Sequence, residues 1–457
     1  MAALAVEVND VALVALRAGA SHALPASPGL ALLDGSRLLV GGEAAEQARL
    51  KPRFVHDRFW DPLDTSPAGV PFPDGVSRAD LAHAQLEAIA SAAGPGITEA
   101  LLAVPGFWSA TALGLLLSVA RAAGLPVVGL VDAAVAAASL GHAGEKLLHL
   151  DLTRHRSVVT ALTRTDEVAR TRVFPVEGHG WAAFEEAWAG AIALQFVREA
   201  RFDPRHAGGS EQALHDALPG WLGELCLRQV LPATLRAGGR EHTIEITRAA
   251  LLEAAAELYR GLLEQVQLVH RAGESATVLL SHRAARLPEL ADRLRALDAL
   301  TVVELHSSAA PRGALQHRDR VRHAGEALPF VTRLPSGLEA PEGPAAAGLA
   351  SPAPGGESAR ATHVVVDGIA HPIGAGGLAL GTAPPAGRRG VVLAHEAGIE
   401  RHHCTLLAEG AAVVEDHSRG HTFVNGERVE GRAGLRAGDR LRLGRARSEL
   451  LLVAVED

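Results

Sequence analysis

Residues 100–141 read ALLAVPGFWSATALGLLLSVARAAGLPVVGLVDAAVAAASLG, and they decide the fold class. Ala100–Val104 (ALLAV) is a short, wholly apolar run stopped by Pro105-Gly106. A run of that length bounded by turn residues reads as a buried strand. Ser109–Ala123 carries apolar residues at helical spacing. Val127–Leu130 reads as a further strand and Ala133–Leu140 as a helix of small residues. Strands alternating with helices point to an α/β domain with mixed sheets.

The same alternation extends outward. Leu4–Val8 and Val11–Leu16 form a predicted strand pair, and Asp80–Ala93 a helix. Leu147–Asp151 and Ser157–Thr163 form a second strand pair, followed by a helix over Ala182–Glu199. Thr247–Arg271 reads as one long helix with Thr247 as its N-cap. Thr277–Leu280 is a strand and Pro288–Leu297 a helix. The scheme that starts at Leu4 restarts at Leu147, so two similar halves in tandem are expected. Pro335–Arg360 breaks the pattern: Pro, Gly, Ala and Ser dominate, as in a flexible linker. The expected domains are a body over 1–334, a linker over 335–361 and a tail domain over 362–457.

Composition bounds the function. The 457 residues are 48% hydrophobic but only 4% aromatic, so sizeable cores of Ala, Leu and Val are expected. The net charge of −8 is spread along the chain, which argues against a nucleic-acid footprint. The only lysines are Lys51 and Lys146. Cys226 and Cys404 are too few for a disulfide framework and fit a reducing compartment. MAALAVEVND has no basic leader region, and apolar runs such as Leu113–Val119 fall short of a membrane span. A cytoplasmic protein is expected. His402-His403-Cys404 is not expected to hold a metal, because neighbouring residues of a strand point to opposite faces. Trp181 and Trp188, seven apart, are expected to pack on one face.

The body resembles the nucleotide-binding domain of the seventy-kilodalton heat-shock chaperones, in the actin-like ATPase superfamily. Four stretches carry the resemblance, in the family's order. Leu38–Phe59 follows its V-G-x-x-A segment, and Ala100–Gly141 its V-P-x-x-F…E-P-x-A-A-A run. Glu245–Val266 follows its I-T-R-x-x-F-E helix, and Leu287–Leu294 its I-P-x-V helix. The resemblance implies a duplicated, two-lobed, ribonuclease H-like α/β body with two hairpins around ATP phosphates. Close backbone approach there calls for glycine. In this sequence the family's D-L-G-T-T is Glu7-Val8-Asn9-Asp10-Val11. Its D-L-G-G-G-T-x-D is Asp151-Leu152-Thr153-Arg154-His155-Arg156-Ser157-Val158. Its L-G-G is His179-Gly180-Trp181. The catalytic lysine falls at about Arg58 and the E-P glutamate at Asp132. The adenosine motif V-G-G-S-T-R-I-P is Ser281-His282-Arg283-Ala284-Ala285-Arg286-Leu287-Pro288. The adenosine-clamping helix falls near Gln229–Ala233. Glycines lost at Asn9, Thr153, Arg154, His155, His282 and Arg283 point to a pseudo-ATPase with no catalytic residue and no cofactor. In a competing reading, Arg154, His155 and Arg156, joined by Arg58, bind an anion through their side chains.

In the tail, short alternating runs are separated by turn residues: His363–Val366, Val391–Leu393, Cys404–Ala408, Ala412–Glu415, Thr422–Val424 and Arg440–Leu443. They predict an all-β sandwich. Leu380-Gly381, Ile399–His403, Asp416–Ser418, Thr422–Gly426 and Leu435–Gly444 resemble the motif series of the forkhead-associated (FHA) domain. The resemblance implies a phosphothreonine reader whose phosphate-contacting Arg and Ser are replaced by Thr382 and Glu400. Arg401, Ser418 and Arg419 are the remaining candidates, and Asn425-Gly426 is an expected hairpin turn. Taken together, these readings predict a non-catalytic protein-interaction adaptor with a cytoplasmic protein partner. Two alternatives stay open: an ATP- and Mg-dependent chaperone-like ATPase, and a phosphothreonine-reading regulator. Self-association also stays open, since actin-like folds form filaments.

Overall fold

The computed structural model describes residues 2–336, apart from 227, 271–272, 324 and 326–327. Of the remainder it describes 361–453, apart from 367–368, 375, 386–388, 394–398, 410, 419–420, 425–426, 430, 437–438 and 445–448. The chain divides into two compact units, Met1–Gly343 and Pro344–Asp457.

The first unit is built on two sheets. In one, β1 (Ala2–Glu7) pairs antiparallel with β2 (Val14–Arg17). Helix α1 (Arg78–Ala93) follows, opened by a capping box between Ser77 and Asp80 that satisfies its first amides. Beyond it, β3 (Ile97–Val104) lies parallel to β1. Helix α2 (Ala110–Ala122) then leads to β4 (Val127–Asp132), parallel to β3. The short helix α3 (Ala133–Ala138) is buried all round. In the second sheet, β5 (Lys146–Leu152), β6 (Arg156–Arg164) and β7 (Glu167–Glu177) form an antiparallel meander. Helices α4 (Trp181–Ala200) and α5 (Ala256–Val269) follow. Next come β8 (Ala276–Leu280), parallel to β5, and β9 (Leu300–Glu304), parallel to β8. Helix α6 (Ala309–Gln316) crosses back onto α3. Its Gly313 leaves no room for a side chain, because a Cβ there would stand 1.8 Å from the Ala136 carbonyl oxygen. In each sheet the first strand has an antiparallel neighbour on one side and parallel strands on the other, two in the second sheet and three in the first, where Phe330–Val331 adds to β4.

Small residues fill the α3 region, where Ala133–Ala138 meet Ala309, Ala310 and Ala314. The few aromatics are placed at the other two centres rather than diluted. Phe59 and Trp60 lie under the first sheet. Phe184, Trp188, Phe196 and Tyr259 lie under the second, with the Trp181 and Trp188 rings meeting edge to face at 6.2 Å.

Several expectations are corrected. The long helix over Thr247–Arg271 is two helices, Arg248–Ala254 and α5, broken where Ala255 leaves helical geometry at φ −107°. Thr247 does cap the first of them through Ala250 N–H. The break keeps Tyr259, Leu262 and Val266 on the core. Gln229–Ala233 is not helical, since Val230–Ala237 pairs with Arg240–Thr247 as a hairpin. Its alternating burial is the period-2 signal of a one-sided strand. The linker does not begin at 335: Pro335 pairs with Glu167, and Ser336 N–H donates to the Asp166 carbonyl. Most of the expected linker lies outside the described residues.

The second unit has two sheets. One orders Ile369–Pro372, His363–Val366, Glu449–Val453, Arg440–Leu443, Thr422–Val424 and Glu427–Arg428. The other orders Gly390–Val392, Leu378–Gly381, Cys404–Glu409, Ala411–Asp416 and Arg432–Leu435. Both contribute to one core, with Val364, Leu441 and Leu452 from the first against Leu380, Leu406 and Val414 from the second. The expected turn at Asn425-Gly426 lies outside the described residues. Among the described residues, no helix is long and apolar enough to cross a membrane.

Candidate functional site

The seam between the two sheets of the first unit gathers most of the candidates. Glu7 ends β1 and Asp151 stands near the end of β5, so each sheet delivers one carboxylate from its first strand. Arg283, in the turn after β8, meets both. Its Nε donates to Asp151 Oδ1 at 3.0 Å and its Nη2 to Asp151 Oδ2 at 3.0 Å. The same Nη2 donates to Glu7 Oε1. Arg283 is 2% exposed. Asn9 closes the group: its Nδ2 donates to Asp151 Oδ2 and to the Leu152 carbonyl, both at 3.1 Å.

Burial penalises every charge here, and the ion pairs decide which charges survive. Burial alone would push the Asp151 carboxyl up, but the facing Arg283 guanidinium outweighs it and holds the group well below the usual range. For Glu7 burial prevails over Arg283, and its carboxyl titrates above the usual range. Burial would likewise lower the Arg283 guanidinium, yet its two carboxylates hold it above normal. His282 is pushed down to about 3 by burial and by Arg283 beside it.

Asp10 points across the seam, where its Oδ1 accepts from Arg154 N–H at 2.6 Å. Its Oδ2 is buried with no partner among the described residues. Burial pushes this carboxyl up to about 6. It lines a cavity of about 10 Å³ with Asn9, Asp61 and Thr153, the size of one water.

The turn at 153–156 is closed by its own polar groups and seated on α4. Thr153 N–H donates to the Arg156 carbonyl at 2.9 Å. The first amides of α4, Trp181 and Ala182, donate to the carbonyls of Thr153 and Arg154, each at 2.9 Å. The helix N-terminus that a phosphate would use is thus satisfied internally. Gly180 is required there, because a Cβ would stand 2.4 Å from Arg156 N.

Each basic side chain of the turn already has an acid. Arg154 Nε donates to Asp57 Oδ2 at 2.9 Å, with Glu185 at 3.7 Å. His155 lies 3.6 Å from Asp57, and Arg156 Nε donates to Asp61 Oδ2 at 2.5 Å. Arg58 is exposed and 3.7 Å from Glu177, an acid that it shares with Arg156 at 3.5 Å. Asp132 is fully buried and caps α3 through the amides of Ala134 and Val135. Its second oxygen accepts from Arg170 at 2.8 Å. Asp57, Asp61 and Arg170 were not anticipated. One signal was present: HDRFWD holds two carboxylates four residues apart, complementary to RHR at 154–156.

In the second unit Ser418 is corrected as a binding candidate. It is 1% exposed, and its hydroxyl donates to Asp416 Oδ1 at 2.5 Å while accepting His421 N–H at 2.9 Å. Thr422 Oγ1 donates to the same Asp416 oxygen at 2.5 Å. His403 is buried and bridges loops, accepting Glu400 N–H and bonding the His421 carbonyl. Thr382 N–H donates to the Glu400 carbonyl at 3.1 Å, which places Thr382 beside Glu400 and Arg401. Glu400 and Arg401 are exposed, and Arg419 lies outside the described residues. His402 and His417 share the Thr405 hydroxyl at 2.9 and 3.0 Å. Among the described residues no three His, Cys, Asp or Glu side chains gather as metal ligands.

No curated protein matches the chain. The FHA domain family model matches residues 386–444, so the carboxy-terminal sandwich contains an FHA domain.

Proposed function

We propose that the protein is a non-catalytic adaptor, in which a chaperone-like, actin-like body closed by its own side chains accompanies an FHA domain that engages a protein partner. The FHA match supports a phosphoprotein-interaction role for the tail. The actin-like reading of the body is supported by a run of four strands in the same order and directions within each sheet, each sheet presenting a carboxylate from its first strand at a common seam.

One observation carries the pseudo-ATPase part: Arg283, buried at the seam, with both Asp151 oxygens and Glu7 as partners. The residues do not fit Mg-ATP. A guanidinium stands between the carboxylates that would face a divalent ion. The α4 amides are taken by carbonyls. Arg286 stacks over Trp181 at 5.2 Å beside the adenosine-motif turn. The same pairing disfavours side-chain anion binding by Arg154, His155 and Arg156, since a new anion would have to displace Asp57 and Asp61.

Calorimetry of the full chain with Mg-ATP tests this reading. No saturable heat is expected, whereas tight binding abolished by Asp151→Ala would overturn it. A second reading, a phosphothreonine-reading regulator, is favoured by the exposed Arg401 on the FHA loop. Screening the full chain against a phosphothreonine peptide library decides it: binding lost in Arg401→Ala supports the reader, and no binding removes it.

A further inference from the structure

A second cluster lies outside the Arg283 group. His306 follows β9 and His282 follows β8, both at the carboxyl ends of parallel strands, where open α/β sheets bind their ligands. Arg312, on α6, reaches the first of these through Ser308. Its Nε donates to Ser308 Oγ at 2.8 Å, and that hydroxyl lies 2.8 Å from His306 Nδ1. Its Nη2 donates to the Ser21 carbonyl at 2.8 Å, which brings the neighbouring His22 to the group. We propose that His306, Arg312 and His22 form a binding site for a single phosphate-class oxyanion.

Three features carry this. First, the donors are aimed. Ser308 N–H donates to His306 Nδ1 at 3.2 Å, which makes that nitrogen an acceptor and assigns the ring proton to Nε2 of this exposed side chain. Two nitrogens of the Arg312 guanidinium, Nε and Nη2, are held, which fixes its plane, and Nη1 has no partner among the described residues. Second, the charge is uncompensated. Arg312 is in no ion pair among the described residues, unlike Arg154 and Arg156. Burial first, and then the two basic groups Arg312 and His22, lower the His306 pKa, and no acid acts on it. Third, the group is accessible: His22, His306 and Arg312 are exposed, while the Ser308 that organises them is fully buried. A fixed guanidinium beside an exposed imidazole, with a second imidazole close by in His22, suits a tetrahedral dianion, which accepts from several directions, better than a carboxylate.

Calorimetric titration of the full chain with inorganic phosphate at constant ionic strength tests the site. Saturable binding is expected, weakened about tenfold or more in Arg312→Ala, the loss of one charge-assisted fork. His306→Asn removes the outward donor but keeps an acceptor for Ser308 N–H, and a loss of about threefold or more is expected. The control Arg236→Ala removes an exposed arginine paired with Glu241 and should change nothing. Absence of saturable binding, or affinity unchanged in Arg312→Ala, overturns the proposal. If Arg312→Ala does not fold, His306→Asn decides by the same criterion. Binding of a phosphothreonine peptide through Arg312 without binding of inorganic phosphate overturns the small-oxyanion assignment.

Discussion

At the scale of single residues, Arg283 determines the state of the seam. A buried guanidinium with two carboxylates is costly to desolvate, but removing it alone leaves two uncompensated negative charges. Arg283→Met should therefore lower stability by about 3–5 kcal/mol at pH 7, read by urea unfolding. The deficit should shrink as pH falls and the carboxylates take up protons. Adding Glu7→Gln and Asp151→Asn to Arg283→Met should recover most of it. An unchanged midpoint in the single variant would remove Arg283 from its structural role. Asp10 behaves differently. Its carboxyl titrates at about 6 when folded against 3.8 for an ordinary aspartate. The native state then holds the extra proton, so this group favours folding below about pH 4 and the benefit is lost as pH rises through about 6. Asp10→Asn keeps an acceptor for Arg154 N–H and removes the buried charge beside Asp61. It should stabilise the body by about 1–3 kcal/mol at pH 7.5 and by almost nothing at pH 4, checked by unfolding at both pH values.

At the scale of elements, the turn at 153–156 and the start of α4 act as one piece. Gly180→Ala would drive a methyl into the backbone of His155 and Arg156. The loss should be about 2 kcal/mol or more, with weaker hydrogen-exchange protection at residues 153–182. In the FHA domain Asp416 Oδ1 accepts from Ser418 N–H, Ser418 Oγ and Thr422 Oγ1. Asp416→Ala would leave those donors buried without a partner, costing about 3 kcal/mol and about a hundredfold in exchange protection across 404–424. Elements such as α1, β3, α2 and β4 were legible because apolar period and turn residues agree along 78–132. β7 was not: EVARTRVFPVE alternates weakly, carries Pro175, and becomes a strand through pairing with β6 and with Arg333–Pro335. The break at Ala255 has no local signal, since alanine suits a helix and tertiary packing decides. At the seam, sequence reasoning found Asn9 and Arg283 as replacements of glycines, Glu7 as the replacement of an aspartate and Asp151 as an aspartate retained. It did not find that they bond one another, because partners 132 to 276 residues apart are set by topology.

At the scale of the molecule, the ties between the two sheets of the first unit are many and of one kind. Glu7, Asn9, Asp10, Asp57 and Asp61 come from the side of β1. Their partners Arg283, Asp151, Arg154, His155 and Arg156 come from the side of β5. Arg170 of β7 adds another tie through Asp132 and the Gly106 carbonyl. A ligand-driven opening would have to break several partly buried charge pairs together, and a ligand shifts a conformation only by its differential affinity. On the adaptor reading proposed above, Mg-ATP supplies none. Small-angle scattering of the full chain should therefore superimpose with and without millimolar Mg-ATP. The variant Asp57→Asn/Asp61→Asn removes two of the acids and should change the scattering curve or raise hydrogen exchange in 151–158, with nucleotide still without effect. A nucleotide-dependent change in the unaltered chain would mean that the seam opens after all, and the body would have to be read as a working switch rather than a fixed one.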